Sequence, residues 1–439
     1  MGKIDDKEER RRNMGKESKK ITRRAFLKAG LVAGGAATTG FPTLLRPAHA
    51  QVKEIKIGLL APLTGLAAVW GQRTFNAYEL AAELINQAGG IKSMGGVKIK
   101  VVVADTENKP EVAAIQAERL ISDRDLIVLS GSNQSSATMV ASQITERNRL
   151  CFITGSDPLD EITGRGFQFT YRATLLMGDY VRDLIYYARD MGKKTGKVVK
   201  KMANLSENSV AGIASGKAVS KYAKEVGFEV VDSSTYDPGS TRDFTGYISK
   251  YKSAGIDFVV SFSRPQDAII ITRTMKELNF NPLAFGGIAS GLTTSEYGKI
   301  LGKDSNFIIA AANFTENAEN IPKLKDLITL WRKRYNIYAD ASFLAGFSVV
   351  PLVHATLEKN PTYDREKFKE ALDTMTLKVG EYNNLQFEGI KWTPNHDNAI
   401  GKAFIIQWEN GEAYAVSPGA HASRKPVWPK PTWDEIKKM

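Results

Sequence analysis

The sequence predicts an α/β fold made of two similar units, each a parallel sheet covered by helices. Its 439 residues exceed what a single hydrophobic core usually organises. Short apolar runs alternate with amphipathic stretches along most of the chain, the signature of strands threaded through helices. The composition, 43% hydrophobic and 25% charged, is that of neither a disordered chain nor a multi-span membrane protein.

The first 50 residues read as an address segment rather than as part of this fold. Lys19-Lys20-Ile21-Thr22-Arg23-Arg24-Ala25-Phe26-Leu27-Lys28 is followed by a Gly/Ala-rich apolar stretch to about Thr39, then by Pro47-Ala48-His49-Ala50. Cationic, apolar and A-x-A parts in that order make an export signal. The Thr-Arg-Arg-x-Phe-Leu-Lys order resembles the twin-arginine type, which implies the twin-arginine translocase as an export partner. Gly34, Gly35, Thr38 and Thr39 interrupt the stretch, which is too short for a membrane span. Cleavage near Ala50 would leave Gln51 first, and no Cys beside that site could accept a lipid anchor. The expected product is a soluble periplasmic protein.

This segment also explains the charge. Residues 1–50 hold 12 Lys/Arg and 5 Asp/Glu, so most of the formal +12 leaves with them, and the remaining +5 makes no case for nucleic acid. The single cysteine, Cys151, lies in the apolar run Leu150–Ile153; it cannot form an internal disulfide and reads as a buried hydrophobe.

The elements follow in order. Ile55–Leu60 is a strand ended by Pro62 and Gly65; Phe75, Tyr78, Ala82 and Ile85 mark a helix stopped by Gly89-Gly90. Lys100–Ala104 is a strand, and Pro110–Ser122 a helix with proline in its first turn. Leu126–Ser130 and Leu150–Thr154 are strands flanking the helix Ser135–Arg147. The second unit repeats the rhythm with strands at Lys201–Leu205, Glu229–Asp232, Asp257–Phe262, Leu283–Gly286 and Phe307–Ala311. Its helices are Val210–Val226, Phe244–Ser253, Gln266–Leu278 and Thr293–Leu301. The later helices Ile321–Tyr335, Ser342–Lys359 and Arg365–Asp373 have too few strands between them for a third unit and are expected to complete the first. The tail with Pro418, Pro426, Pro429 and Pro431 reads as an extended surface segment.

Enzyme signatures are missing: there is no G-x-G-x-x-G after the first strand, no Walker A lysine loop and no G-x-S-x-G elbow. His354, His396 and His421 stand at no metal-ligand spacing, so neither metal nor cofactor is expected. Polar residues gather instead where strands end. One loop reads Gly131-Ser132-Asn133-Gln134-Ser135-Ser136-Ala137-Thr138 and the other Thr154-Gly155-Ser156-Asp157-Pro158. Carboxyl ends of parallel strands are where open α/β sheets bind ligands, and hydroxyls and free N–H groups at a helix start suit a carboxylate. The same residues could equally serve as helix caps.

Ile57-Gly58-Leu59-Leu60-Ala61-Pro62-Leu63-Thr64-Gly65, then Trp70-Gly71 and Phe75-Asn76-Ala77, open a pattern that continues over the mature chain. Asn86-x-x-Gly89-Gly90-Ile91, Asp105, Ser135-Ser136-x-Thr138, Asp243-Phe244 and Gly255-Ile256-Asp257 extend it. In order and spacing this resembles the periplasmic leucine/isoleucine/valine-binding protein family, the type I solute receptors of branched-chain amino-acid ABC transporters, from about Glu54 to Trp408. The resemblance implies two Rossmann-like lobes with parallel sheets, joined by three hinge crossings and closing on a ligand. One lobe would be 52–172 plus 312–402, the other 173–311 plus 403–439, with hinges near Arg172–Thr174, Ala311–Asn313 and Asn398–Gly401. It implies capture of a small molecule by a monomer that delivers it to ABC transporter permease subunits, without catalysis. The alternative within this fold is a ligand sensor feeding a signalling partner.

By the resemblance Trp70 covers the ligand, Ser135 and Ser136 bind its carboxylate, and Thr154, Gly155 and Ser156 add backbone and hydroxyl contacts. Phe262, Ser263 and Arg264 stand where the family has a head-group tyrosine, and Ile288 lies in the turn Phe285–Gly291, where leucine-type receptors place an ammonium-binding glutamate. This turn has no acid, and Glu296 is further along. Gln134 and Asn108 stand near the positions of that subfamily's disulfide. The missing acid in that turn, together with Arg264 and Trp70, points to a ligand that carries a carboxylate and need not carry an ammonium.

Overall fold

The computed structural model describes residues 54–439 apart from Leu66, Gly239 and Ser290. The expected signal segment 1–50 and the start at Gln51 lie outside the described residues.

Five short strands build the first sheet: β1 (Ile55–Ala61), β2 (Ile99–Asp105), β3 (Leu126–Ser130), β4 (Cys151–Thr154) and β5 (Thr170–Arg172). They are parallel throughout and ordered β2-β1-β3-β4-β5. The crossovers include α1 (Ala68–Gln87), α2 (Pro110–Ile121, with its proline in the first turn) and α3 (Ser135–Arg147). Every residue of β3 and β4 is buried, which is why both read as continuous apolar runs. Cys151 is among them, its thiol unpaired and its pKa pushed well up by burial.

After β5 the chain enters a second set of elements: α4 (Met177–Thr195), β6 (Lys201–Glu207), α5 (Val210–Val226), β7 (Glu229–Tyr236) and α6 (Thr245–Ala254). These continue into β8 (Phe258–Ser261), α7 (Pro265–Glu277), β9 (Ala284–Ile288), α8 (Ser295–Leu301) and β10 (Ile309–Ala312). The chain then returns as α9 (Leu324–Tyr335), α10 (Ala341–Lys359), α11 (Arg365–Asp373) and the ribbon β11 (Thr376–Leu377) with β12 (Ile390–Lys391). It crosses once more into the hairpin β13 (Phe404–Glu409) and β14 (Glu412–Ser417). The second sheet is therefore β14-β13-β10-β9-β8-β6-β7, parallel from β7 to β10, with β13 antiparallel to β10.

Two departures from the sequence reading lie in this second half. The sheet is mixed, because the strand Phe404–Glu409, followed by the turn Asn410-Gly411, folds back as a hairpin onto β10. The proline-containing tail is packed rather than superficial. Trp428 and Trp433 are buried, and the chain ends in α12 (Trp433–Lys438), held by a capping box between Thr432 and Glu435.

The three crossings are tied to one another. The Arg172 N–H donates to the His396 carbonyl at 2.9 Å, and Asn313 Nδ2 donates to Thr174 Oγ1 at 3.0 Å.

α10 is long and apolar enough to cross a membrane by length and composition, but it is a core helix. Phe343 through Leu352 are all buried, and the helix lies along α1. The approach is close at Gly346, where a Cβ would sit 2.4 Å from the Ala77 carbonyl carbon. Gly346→Ala should thus destabilise the protein by about 1–3 kcal/mol in urea denaturation. Helix propensity alone would give a gain of about 1 kcal/mol. A gain would mean that the helices separate freely.

Candidate functional site

The carboxyl ends of the parallel strands in both sheets face one cavity of about 180 Å³. Five helices start at its wall: α1 at Ala67, α3 at Gln134, α5 at Ser209, α7 at Arg264 and α10 at Asp340. Two of these starts are self-capped, with Ser209 accepting from Gly212 N at 3.1 Å and Asp340 Oδ1 from Ser342 N at 2.9 Å. The start of α3 has no side-chain cap, so its first N–H groups, with Ser135 and Ser136, remain open to an anion.

Arg264, from the second sheet's elements, lines the same cavity. Its Nε donates to Glu207 Oε2 at 3.0 Å, and Glu207, at the end of β6, is itself nearly buried. The carboxylate fixes the guanidinium plane and leaves the remaining donors of the fork for something else. A second carboxylate, Asp157, organises the two loops of the first sheet. Its Oδ2 accepts from Ser132 N at 2.9 Å, Thr138 Oγ1 at 2.6 Å and Thr154 Oγ1 at 3.2 Å. Burial pushes the Asp157 pKa up, while these hydrogen bonds and the charge of Arg172 pull it back.

Two acceptors on the wall are unmatched: Asn133 Oδ1 and Gln134 Oε1 are buried without a hydrogen-bond partner. Buried polar atoms are rarely left so, and a bound ligand with donors would satisfy them. Among the described residues no cluster of three or more His, Cys, Asp or Glu side chains is placed to hold a metal ion. The arrangement suits holding a small polar molecule.

A family model described as periplasmic binding protein matches residues 54–413. The chain belongs to this periplasmic binding protein family. It is 29% identical over 389 residues to a Leu/Ile/Val-binding protein homolog 7 of Brucella melitensis, covering 86% of this chain and 95% of the relative. A homolog 8 of Brucella abortus is 24% identical over 376 residues, covering 84% of this chain and 92% of the relative. Among solved structures, the branched-chain amino acid transporter substrate-binding protein of Streptococcus pneumoniae, in complex with isoleucine, superposes with a TM-score of 0.70 at 20% identity. That match covers 83% of this chain and 98% of the other. An ABC-transporter solute-binding protein of Rhodopseudomonas palustris, in complex with 3,4-dihydroxybenzoic acid, gives a TM-score of 0.70 at 19% identity, covering 83% and 96%. These solved structures share the type I fold.

Within this member of the periplasmic binding protein family, Trp70, Ser135, Ser136, Ser156, Phe262, Ser263 and Arg264 come together on the cavity wall. Trp70 is in the first turn of α1 rather than in a loop, because the helix begins before the periodic stretch at Phe75. Three expected residues are not on the wall. Thr154 is fully buried and spends its hydroxyl on Asp157. Gly155 faces α10, where a Cβ would come within 3.0 Å of Val349 and 3.1 Å of Ala345. Ile288 packs into the core of the second sheet. The sequence reading also missed acids on the wall. Asp157 stands in a loop singled out for its hydroxyls, Asp340 precedes an apolar helix as caps do, and Glu207 ends a strand two residues beyond its expected limit at Leu205. The turn Phe285–Gly291 indeed brings no acid to the wall, but Glu207 of β6 does, paired with Arg264.

Proposed function

We propose that this protein is an extracytoplasmic solute-binding protein that captures a small carboxylate-bearing molecule between its lobes and delivers it to an ABC transporter permease. The supporting observation is that the uncapped start of α3 and the fork of Arg264, from different sheets, line one cavity. One supplies backbone N–H groups and the other a cation, and a carboxylate needs both in a desolvated site. Glu207 together with Asn133 Oδ1 and Gln134 Oε1 gives an ammonium or hydroxyl acceptors as well. A branched-chain amino acid therefore fits as well as a hydroxylated aromatic acid, and the names of the relatives point to the same two classes. The proposal includes a non-catalytic, monomeric periplasmic protein, exported through the twin-arginine translocase by residues 1–50. It also includes lobes of 52–172 plus 312–402 and 173–311 plus 403–439.

A thermal-shift screen over branched-chain amino acids, benzoates, hydroxybenzoates and amides tests it. A ligand at a hundredfold its dissociation constant adds about 2.7 kcal/mol of stability. Arg264→Ala should then weaken binding of the best carboxylate about 10- to 100-fold by calorimetry, the worth of a charge-assisted hydrogen bond. Unchanged affinity would remove Arg264 from the site.

A further inference from the structure

Beside the cavity, Arg73 of α1 joins two carboxylates that belong to different layers of the molecule. Its Nη1 donates to Asp340 Oδ2 at 2.8 Å and to Glu296 Oε2 at 3.1 Å, and its Nη2 meets the other oxygen of Glu296. α1 packs on β1, β2 and α10, so Arg73 and Asp340 belong with the first sheet. Glu296 is in α8, which packs on α7 and β14 and belongs with the second. The fork of Arg73 thus spans the two lobes, whereas Glu207 and Arg264 pair within one of them.

We propose that Arg73 and Glu296 are a latch that holds the lobes closed, and that Arg73 acts as a positioning residue for capture without touching the ligand. This rests on reading the cavity as a ligand site between moving lobes. The energetics of the triad suit a reversible contact. Arg73 is 6% exposed, and its guanidinium would be costly to leave unpaired. Asp340 answers that cost, because it lies on the same layer and stays with Arg73 when the lobes part. The same Asp340 caps α10 through its other oxygen, so its position is independent of closure. Glu296, whose side chain is 28% exposed, can return to water with little penalty. Closing therefore adds a bidentate ion pair, and opening strands no charge. A population shift toward the closed form carries straight into apparent affinity, mostly through slower release.

The test needs no ligand in its first arm. Small-angle scattering of the mature protein should give a larger radius of gyration for Glu296→Gln than for wild type at low salt. Raising the salt should expand the wild type toward the variant and leave the variant unchanged, since screening acts on the pair. In the second arm, with whatever ligand the screen returns, Glu296→Gln should bind roughly tenfold more weakly through faster dissociation. Glu296→Asp should recover part of the loss, while Arg73→Ala tests the same pair at greater risk to folding. Equal radii of gyration and equal salt responses in wild type and Glu296→Gln overturn the latch. A screen without any ligand overturns the transport reading, and the scattering result still decides the latch.

Discussion

Replacing Arg172 by methionine is expected to destabilise the protein by about 3–5 kcal/mol, the cost of breaking a buried ion pair from one side. Arg172 ends β5 at the first crossing and is wholly buried. Its Nε donates to Asp397 Oδ1 at 2.9 Å, its Nη2 to the Leu159 carbonyl at 2.5 Å and to Thr163 Oγ1 at 3.2 Å, and its Nη1 to the Asp157 carbonyl. Methionine fills much of the volume but leaves Asp397 with only the 2.6 Å bond from Thr163 and the Asp157 carbonyl with no donor, while the Leu159 carbonyl keeps the Ile162 N–H at 3.1 Å. Denaturation in urea checks this through the midpoint at an unchanged slope. The double variant Arg172→Met with Asp397→Leu should recover part of the loss, because removing both charges is less harmful than stranding one. A loss under 1 kcal/mol for the single variant would mean that water replaces the guanidinium.

Asp157→Ala is expected to cost about 2–3 kcal/mol and to abolish tight binding. The substitution leaves the buried Ser132 N–H with Thr138 Oγ1 as its one remaining acceptor, at 3.0 Å, and takes the shared acceptor away from the hydroxyls of Thr138 and Thr154. These groups belong to the loops after β3 and β4, which set the start of α3 and the position of Ser156 on the wall. The two losses are separable. If Asp157 only supports the fold, stability falls and affinity per folded molecule does not. If it positions the wall as the geometry indicates, calorimetry at a temperature where the variant is fully folded still shows a loss of more than tenfold. Asp157→Asn keeps the size but presents an amide with one acceptor, and should fall between the two.

Much of this architecture is legible as local pattern. α3, α5 and α11 begin and end where their periodicity says, because their apolar faces meet the core, and Ser209 and Asp364 cap α5 and α11 locally. β7 runs four residues past Asp232 because it is an edge strand, whose alternating half-exposed Ser233, Ser234 and Thr235 look like loop. β5 is three residues long and contains a buried arginine, so nothing marks it as a strand. α4 carries a readable stripe, Tyr180, Val181, Leu184, Ile185 and Ala188, which the charges around it obscured. The polar loops after β3 and β4 were visible, and they do reach the cavity. Which of their atoms face it was not, since Thr154 and Ser156 differ only in which side of a turn they occupy. The carboxylates were least legible. Glu207 with Arg264, and Arg73 with Asp340 and Glu296, meet across 57 to 267 positions, and no periodicity encodes such a meeting.

The return of the chain to complete the first layer has a consequence for synthesis. β1 through β5 are made within residues 55–172, yet the helix that lies along α1 and buries Ala77 starts only at Ala341. When the ribosome has finished β5, the first sheet still lacks this cover, and the whole second sheet up to β10 must emerge before it arrives. The earlier half of the molecule therefore waits, partly dressed, for the later half. A nascent chain of this order is a client for holding factors. It also ties completion of the first half to the last third of translation, so a truncated product is left with an uncovered apolar face rather than one finished lobe.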